Sequence, residues 1–246
     1  MLRAALVSIL FLAVVFAQTP RFEVAAIRPS NSEEMNGPSG IETRRGLVRA
    51  SNVTLKRIIA GAYGIGEYRV LSQPGGPGWI ESDRFQITAK ADQPVGDEAL
   101  DEMLKTLLVE RFNLQLHRES RPGEALVIGL AKSGPKLQPA GDAHLAYNNG
   151  HGNLEATGVS MGKLAELLSR DLKMLVVDRT GLTGAYNFTL RWDADRPRIA
   201  EPDDAAADLR FEISTAISEQ LGLTLKPQRL PVEILVIDHA EKPSEN

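Results

Sequence analysis

The chain repeats itself, and that repetition limits its fold more than any other feature. Arg49-Ala50-Ser51-Asn52-Val53-Thr54-Leu55 aligns with Glu155-Ala156-Thr157-Gly158-Val159-Ser160-Met161, 106 positions on (49 to 155). Each copy opens a helix: Leu55, Ile58, Ile59 and Ala62 hold the i, i+3, i+4, i+7 spacing of a buried stripe, and Met161, Leu164, Ala165 and Leu168 repeat it. Thr54 and Ser160 stand where an N-cap hydroxyl accepts from an unpaired backbone N–H.

A hairpin-like stretch follows in each copy. Residues 68–71, the breakers Pro74-Gly75-Gly76-Pro77-Gly78 and residues 84–88 parallel residues 175–177, the turn around Gly181 and Gly184, and residues 185–189. Phe85 and Ile87 alternate with polar neighbours, as do Tyr186 and Phe188. A second helix is predicted with Asp97 as N-cap and Leu100, Met103, Leu104, Leu107 and Leu108 as its apolar stripe, matched by Leu209, Ile213, Ala216, Ile217 and Leu221. Asn113 and Gly222 coincide 109 positions apart (113 to 222), and both types tolerate the left-handed conformation that closes a helix. At the same offset Leu114 and Leu116 match Leu223 and Leu225, and Ala125-Leu126-Val127-Ile128 matches Ile234-Leu235-Val236-Ile237.

The expected fold is therefore α+β: two tandem, internally duplicated lobes, each β-α-β-β-α-β-β with two helices packed on a small, mostly antiparallel sheet. The lobes are assigned to residues 18–137 and 154–246, with residues 138–153, rich in Gly, Asn and Pro, as the linker. Residues 21–28 add an edge strand with Phe22, Val24 and Ala26 alternating, and residues 29–46 and 193–207 read as mobile surface loops.

Arg3 followed by an apolar run to Phe16 and the small Ala17 has the layout of a signal peptide, cleaved after Ala17. The run is shorter than the roughly 18 to 20 residues that span a bilayer core. Residues 1–17 are thus expected to be removed, leaving 229 (246 less 17), a soluble mature chain in the periplasm or outside the cell with no transmembrane segment. The chain has no cysteine, which excludes disulfides, thiolate nucleophiles and zinc–thiolate sites. A formal charge of −4 offers a polyanion no long-range attraction, so nucleic acid is not an expected partner.

Among four histidines, His117 lies two residues from Glu119 on a predicted strand, which places both on one face and suits an acid–base pair or a metal. The plainer reading is a solvent-facing polar edge beside inward Leu114 and Leu116. His144 and His151, with Asp142, fall in the linker without ligand spacing. Asp238 and His239 follow a buried strand where the repeat holds Gly129 and Leu130, although adjacent strand residues face opposite ways. Trp79 and Tyr63 are candidates to line a groove between the lobes, with core packing as the alternative. Gly-x-Ser-x-Gly, His-Glu-x-x-His, the phosphate loop and the dinucleotide glycine pattern are all absent, so no cofactor, metal or catalytic residue is assigned.

Phe22-Glu23-Val24-Ala25-Ala26-Ile27-Arg28-Pro29-Ser30, residues 55–64 with their Ala-Tyr-Gly ending, Gly78-Trp79-Ile80, LVERFNLQLHRE at 108–119, Gly134-Pro135-Lys136-Leu137, residues 177–186 including Asp178, Glu219-Gln220-Leu221-Gly222-Leu223 and residues 237–246 together resemble a soil-bacterial secreted family known only as a domain of unknown function. The resemblance implies an extracytoplasmic location and transfers no activity. Some members of that family are fused to membrane metallopeptidases of the antibiotic-sensor type, but the zinc motif and multiple spans are missing here, so proteolysis is not carried over. The units also resemble small periplasmic domains of secretins and TonB-dependent receptors, by fold analogy alone. The leading expectation is a noncatalytic binding, sensing or interaction module for an envelope protein or small ligand. The alternative is a hydrolase whose polar site, in the cleft between the lobes, would draw on His117, Glu119, Asp178 or His239.

Overall fold

The computed structural model describes residues 19–193 and 202–243; the expected signal peptide and residues 194–201 of the expected second loop lie outside the described residues. The protein is a mixed α/β chain whose described strands form three four-stranded sheets. The first holds β1 (Val24–Pro29), β2 (Gly40–Arg44), β3 (Leu47–Thr54) and β5 (Arg84–Lys90) in the order β1-β5-β3-β2. The second holds β4 (Val70–Ser72), β6 (Gln115–Leu130), β10 (Val176–Asp178) and β12 (Leu223–His239) in the order β10-β6-β12-β4. The third holds β7 (Gln138–Pro139), β8 (Ala146–Gly150), β9 (Asn153–Val159) and β11 (Tyr186–Arg191) in the order β7-β11-β9-β8. The helices are α1 (Ser32–Met35), α2 (Leu55–Ala62), α3 (Trp79–Ser82), α4 (Asp97–Phe112), α5 (Met161–Leu172) and α6 (Pro202–Ala216), the last continued by a π-wound turn, Ile217–Leu221.

Local chemistry accounts for most boundaries. Thr54 and Ser160 cap α2 and α5, each oxygen accepting at 3.2 Å from the backbone N–H three residues on, Arg57 and Lys163. The strand before each helix is bulged, and the residues at the bulges, Asn52 (φ 53°) and Gly158 (φ 62°), adopt the left-handed conformation that Asn and Gly accept most readily. Asn113 (φ 46°) and Gly222 (φ 64°) close α4 and the π-wound turn in the same conformation. Thr54→Ala and Ser160→Ala are each expected to destabilise by about 1 kcal/mol, adding in the double variant because the sites are distant. Urea midpoints at constant slope check this; unequal losses would mean that one helix holds without its cap.

Several expectations need correction. Gly96, not Asp97, is the N-cap of α4, so Asp97 is the first helical residue. In β1 the buried positions are Ile27 and, in part, Ala25, one residue out of register from Val24 and Ala26. Residues 29–46 contain α1 and β2, residues 138–153 supply β7 and β8, and α6 begins at Pro202, inside the expected loop. The hairpins do not form: β4 pairs in parallel with β12, and β10 in parallel with β6. The last two strands expected in each lobe are one long strand, β6 or β12.

Those long strands prevent the lobes from being self-contained. β6 begins against a first core with the partly buried Leu116, just after the buried Leu114, and ends in a second with Leu126 and Ile128; β12 starts in the second with Leu223 and Leu225 and finishes in the first with Leu235 and Ile237. Sixteen residues extend for roughly 50 Å, farther than one small core reaches. The middle of each strand bridges the two cores, loses apolar alternation and reads in sequence as a break. Pro122 and Pro231, 109 positions apart, lie opposite one another at the centre of the antiparallel β6–β12 ladder. Facing prolines cost no ladder bonds only at a non-hydrogen-bonded pair, where neither owes its partner an N–H.

Candidate functional site

A cleft of about 1080 Å³ opens between α2 with the following 3-10 turn (Glu67–Arg69) and α5 with β10. Ile41, Ala60, Ile65, Ala165, Leu175 and Val177 supply apolar lining, and Tyr68 lies on the 3-10 turn. A Cβ at Gly66 would sit 2.2 Å from the Tyr68 ring, so a side chain there would push the ring from its place. Burial pushes the Tyr68 phenol up, opposed by the neighbouring Ser169 and Arg69. Ser169 is itself fixed, donating to the Ala165 carbonyl at 2.8 Å and accepting from the Val176 N–H at 2.8 Å.

Of the six residues singled out in the sequence, Asp178 alone lines this cleft. Its Oδ1 accepts from the Thr180 N–H and hydroxyl, both at 2.8 Å, which folds the chain into the turn after β10. Tyr63 is partly buried against the first core, with Lys105 Nζ 4.9 Å above its ring. Burial raises its phenol, opposed by Lys105 and Arg118. Trp79 also packs on the first core: it stacks on Phe112 at 6.4 Å, meets Phe85 edge-on at 6.2 Å, and carries Lys242 at 5.9 Å from its ring. Both aromatics pack against the first core.

His117 and Glu119 share a face of β6, beside a small apolar strip of Val232, Ile234 and Val236. Glu119 is occupied by Arg121, bonded through both oxygens at 2.7 Å, and that pair lowers its carboxyl. His117 turns instead to Asp238, its Nδ1 2.8 Å from Oδ2 and 3.0 Å from Oδ1. Gln73 Nε2 donates to the same Oδ1 at 2.7 Å, so strands β6 and β12 and the residue that follows β4 bring three polar side chains into a row. His239 bonds Glu241 at 2.9 Å, and Glu241 takes a second bond from Asn113. Asp178 pairs with Ile128, eleven residues along β6 from His117 and thus roughly 35 Å of strand away. The four polar candidates do not converge, and no described hydroxyl bonds His117 to act as a nucleophile.

The His117–Asp238–Gln73 row has a pH signature. Hydrogen bonds from His117 first and Gln73 second hold the Asp238 carboxyl below the usual range. With a depressed folded value, the stabilisation is present above the ordinary carboxylate pKa of about 4 and is lost as pH falls through the lower folded value. In His117→Ala the Asp238 midpoint, followed by carboxyl NMR, is expected to rise toward the ordinary range; an unchanged midpoint would assign the shift to Gln73.

Among the described residues no three His, Asp or Glu side chains are grouped to hold a metal, His144, His151 and Asp142 included, and no helix is long and apolar enough to cross a membrane. Tyr68, Ser169 and Gln73 carry no sequence signal of their own: each reads as part of a helix, a strand or a turn until the other half of the chain is placed beside it.

No curated protein and no solved structure matches the chain. A family model described as "Protein of unknown function (DUF3738)" matches residues 56–240, which take in α2 through β12 and nearly all of the cleft lining. That match covers well over half of the 246 residues, and the chain belongs to the DUF3738 family of proteins of unknown function.

Proposed function

We propose that the protein is an exported, noncatalytic binding module, periplasmic or extracellular, whose ligand occupies the cleft between two equivalent halves of one repeated unit. The carrying observation is the composition of the cleft: α2 and the 3-10 turn form one wall, α5 and β10 the other, so the site exists only when both halves are assembled. A concave site in which apolar side chains stand beside convergent polar groups is a usual form of a small-molecule pocket. The common element order of residues 47–130 and 153–239, strand, helix, short strand, strand, helix, long strand, supports the repeated-unit reading. The apolar run before Ala17 and the resemblance to a secreted soil-bacterial family support export. The dispersal of His117, Glu119, Asp178 and His239 weighs against the hydrolase reading.

Gly162→Phe tests the proposal. A Cβ at this helical glycine meets only the Ser160 Oγ, at 4.0 Å, so the ring enters the cleft without displacing backbone. Small molecules co-purifying with the protein from its own envelope, quantified by mass spectrometry, are expected to fall at least tenfold while the melting temperature changes by no more than a few degrees. Equal retention by both proteins would remove the cleft as the ligand site.

A further inference from the structure

We infer that the cleft takes an organic anion with an extended apolar body, its acid group held between Arg57 and Lys173; this rests on the cleft being the ligand site. The whole chain is acidic, with a formal charge of −4, yet the cleft lining carries five cations, Lys56, Arg57, Arg69, Arg170 and Lys173, against Glu67, Glu166 and Asp178. Three of the cations are committed to acids outside the lining: Lys56 to Glu81 at 2.9 Å, Arg69 to Glu233 at 3.8 Å and Arg170 to Asp171 at 3.6 Å. Among the described residues the Arg57 guanidinium bonds only the Ser39 hydroxyl, at 3.1 Å, and Lys173 has no ion-pair partner. One stands on each wall, Arg57 in the first turn of α2 and Lys173 at the C-cap of α5.

The acids are fewer. Glu166 is held by Lys163 at 2.7 Å, and the lining acids with no cation partner among the described residues are Glu67, on the 3-10 turn, and Asp178, whose Oδ1 accepts from Thr180. Beside the charged groups the lining offers Ile41, Ile65, Leu167, Leu175 and Val177, and Gly61 and Gly162 bare the helix backbone to a ligand's body. Asn, Gln, His and Trp are all missing from the lining, so it lacks the amide and indole groups that a neutral sugar would use. Acid at one point and hydrocarbon elsewhere is what these walls complement.

Calorimetric titration of the full mature protein with decanoate and with its neutral counterpart decanamide tests the inference. Two partly exposed ion contacts correspond to about a tenfold preference for decanoate, and this preference should weaken as salt screens the charges. In the Arg57→Gln, Lys173→Gln double variant the two probes are expected to bind within about twofold of each other, with decanamide affinity unchanged. Equal affinities in the wild-type protein, or a preference that survives the double variant, would overturn the anion assignment; if Gly162→Phe still blocks both probes, the cleft stands as the site. Failure of Gly162→Phe to affect either probe would overturn both readings, and so would an absence of binding by either probe.

Discussion

Replacing Gly222 by alanine is expected to cost about 3 to 4 kcal/mol and to lower the melting temperature by about 10 °C. Gly222 ends the π-wound turn at φ 64°, where an alanine loses about 1 to 2 kcal/mol relative to its relaxed conformation. The added Cβ would also lie 2.1 Å from the Gly134 carbonyl oxygen and 3.0 Å from the Lys136 nitrogen, both backbone atoms that cannot rotate aside. Residues 131–136 would have to withdraw, breaking the Ala131 N–H bond to the Gly222 carbonyl at 3.1 Å and the Lys136 N–H bond to the Leu221 carbonyl at 2.7 Å. Each is worth about 1 kcal/mol. Asn113→Gly, 109 positions earlier (113 to 222), serves as the control: it relieves a non-glycine residue of φ 46° while giving up the exposed Asn113 bond to Glu241, and is expected to be near neutral. A loss below 1 kcal/mol for Gly222→Ala would mean that the 131–136 segment yields freely.

The second large effect concerns the independence of the halves. Residues 19–137 expressed without residues 138–243 are expected to give no cooperative unfolding as a monomer, while the two fragments mixed together recover it. Among the described strands β4 pairs only with β12, and β6 only with β12 and β10, so the isolated first half keeps one sheet and loses every described partner of its other two strands. Its core also loses Leu235, Ile237 and Ala240, and α4 loses the Glu241 N–H bond to the Phe112 carbonyl at 2.7 Å. An unpaired long strand with an apolar end favours association over folding alone. Circular dichroism and analytical ultracentrifugation distinguish the outcomes; a stable monomeric half would show that the shared sheet joins two finished domains instead of completing them.

The candidate site was legible in its parts and not in its assembly. Asp178 stands out in the sequence and lines the cleft, but Arg57, Tyr68, Ser169 and Lys173 stand on elements whose sequence reports only a helix or a strand. In sequence His117 goes with Glu119, its neighbour on the strand, whereas its hydrogen-bonded partner is Asp238, 121 positions away (117 to 238), on the adjacent strand. A spacing of two along a strand guarantees a shared face, but Arg121, also two residues from Glu119, takes that carboxylate. Which neighbour wins is settled by side-chain reach and by β6–β12 register, neither of which a linear pattern carries.

Amino-acid order alone determined what depends on a few consecutive residues: the caps at Thr54 and Ser160, the apolar stripes of α2, α4 and α5, and the left-handed helix ends at Asn113 and Gly222. These follow from backbone sterics and from hydrogen bonds spanning three or four positions. Only the tertiary structure decided that each long strand serves both cores, that β4 and β10 pair with strands of the opposite half, and that a cleft lies between α2 and α5. The physical reason is that a strand's hydrogen-bonding edges carry no address: nearly any residue pairs with any other there, and the choice is made by whichever arrangement buries the two sets of apolar faces together.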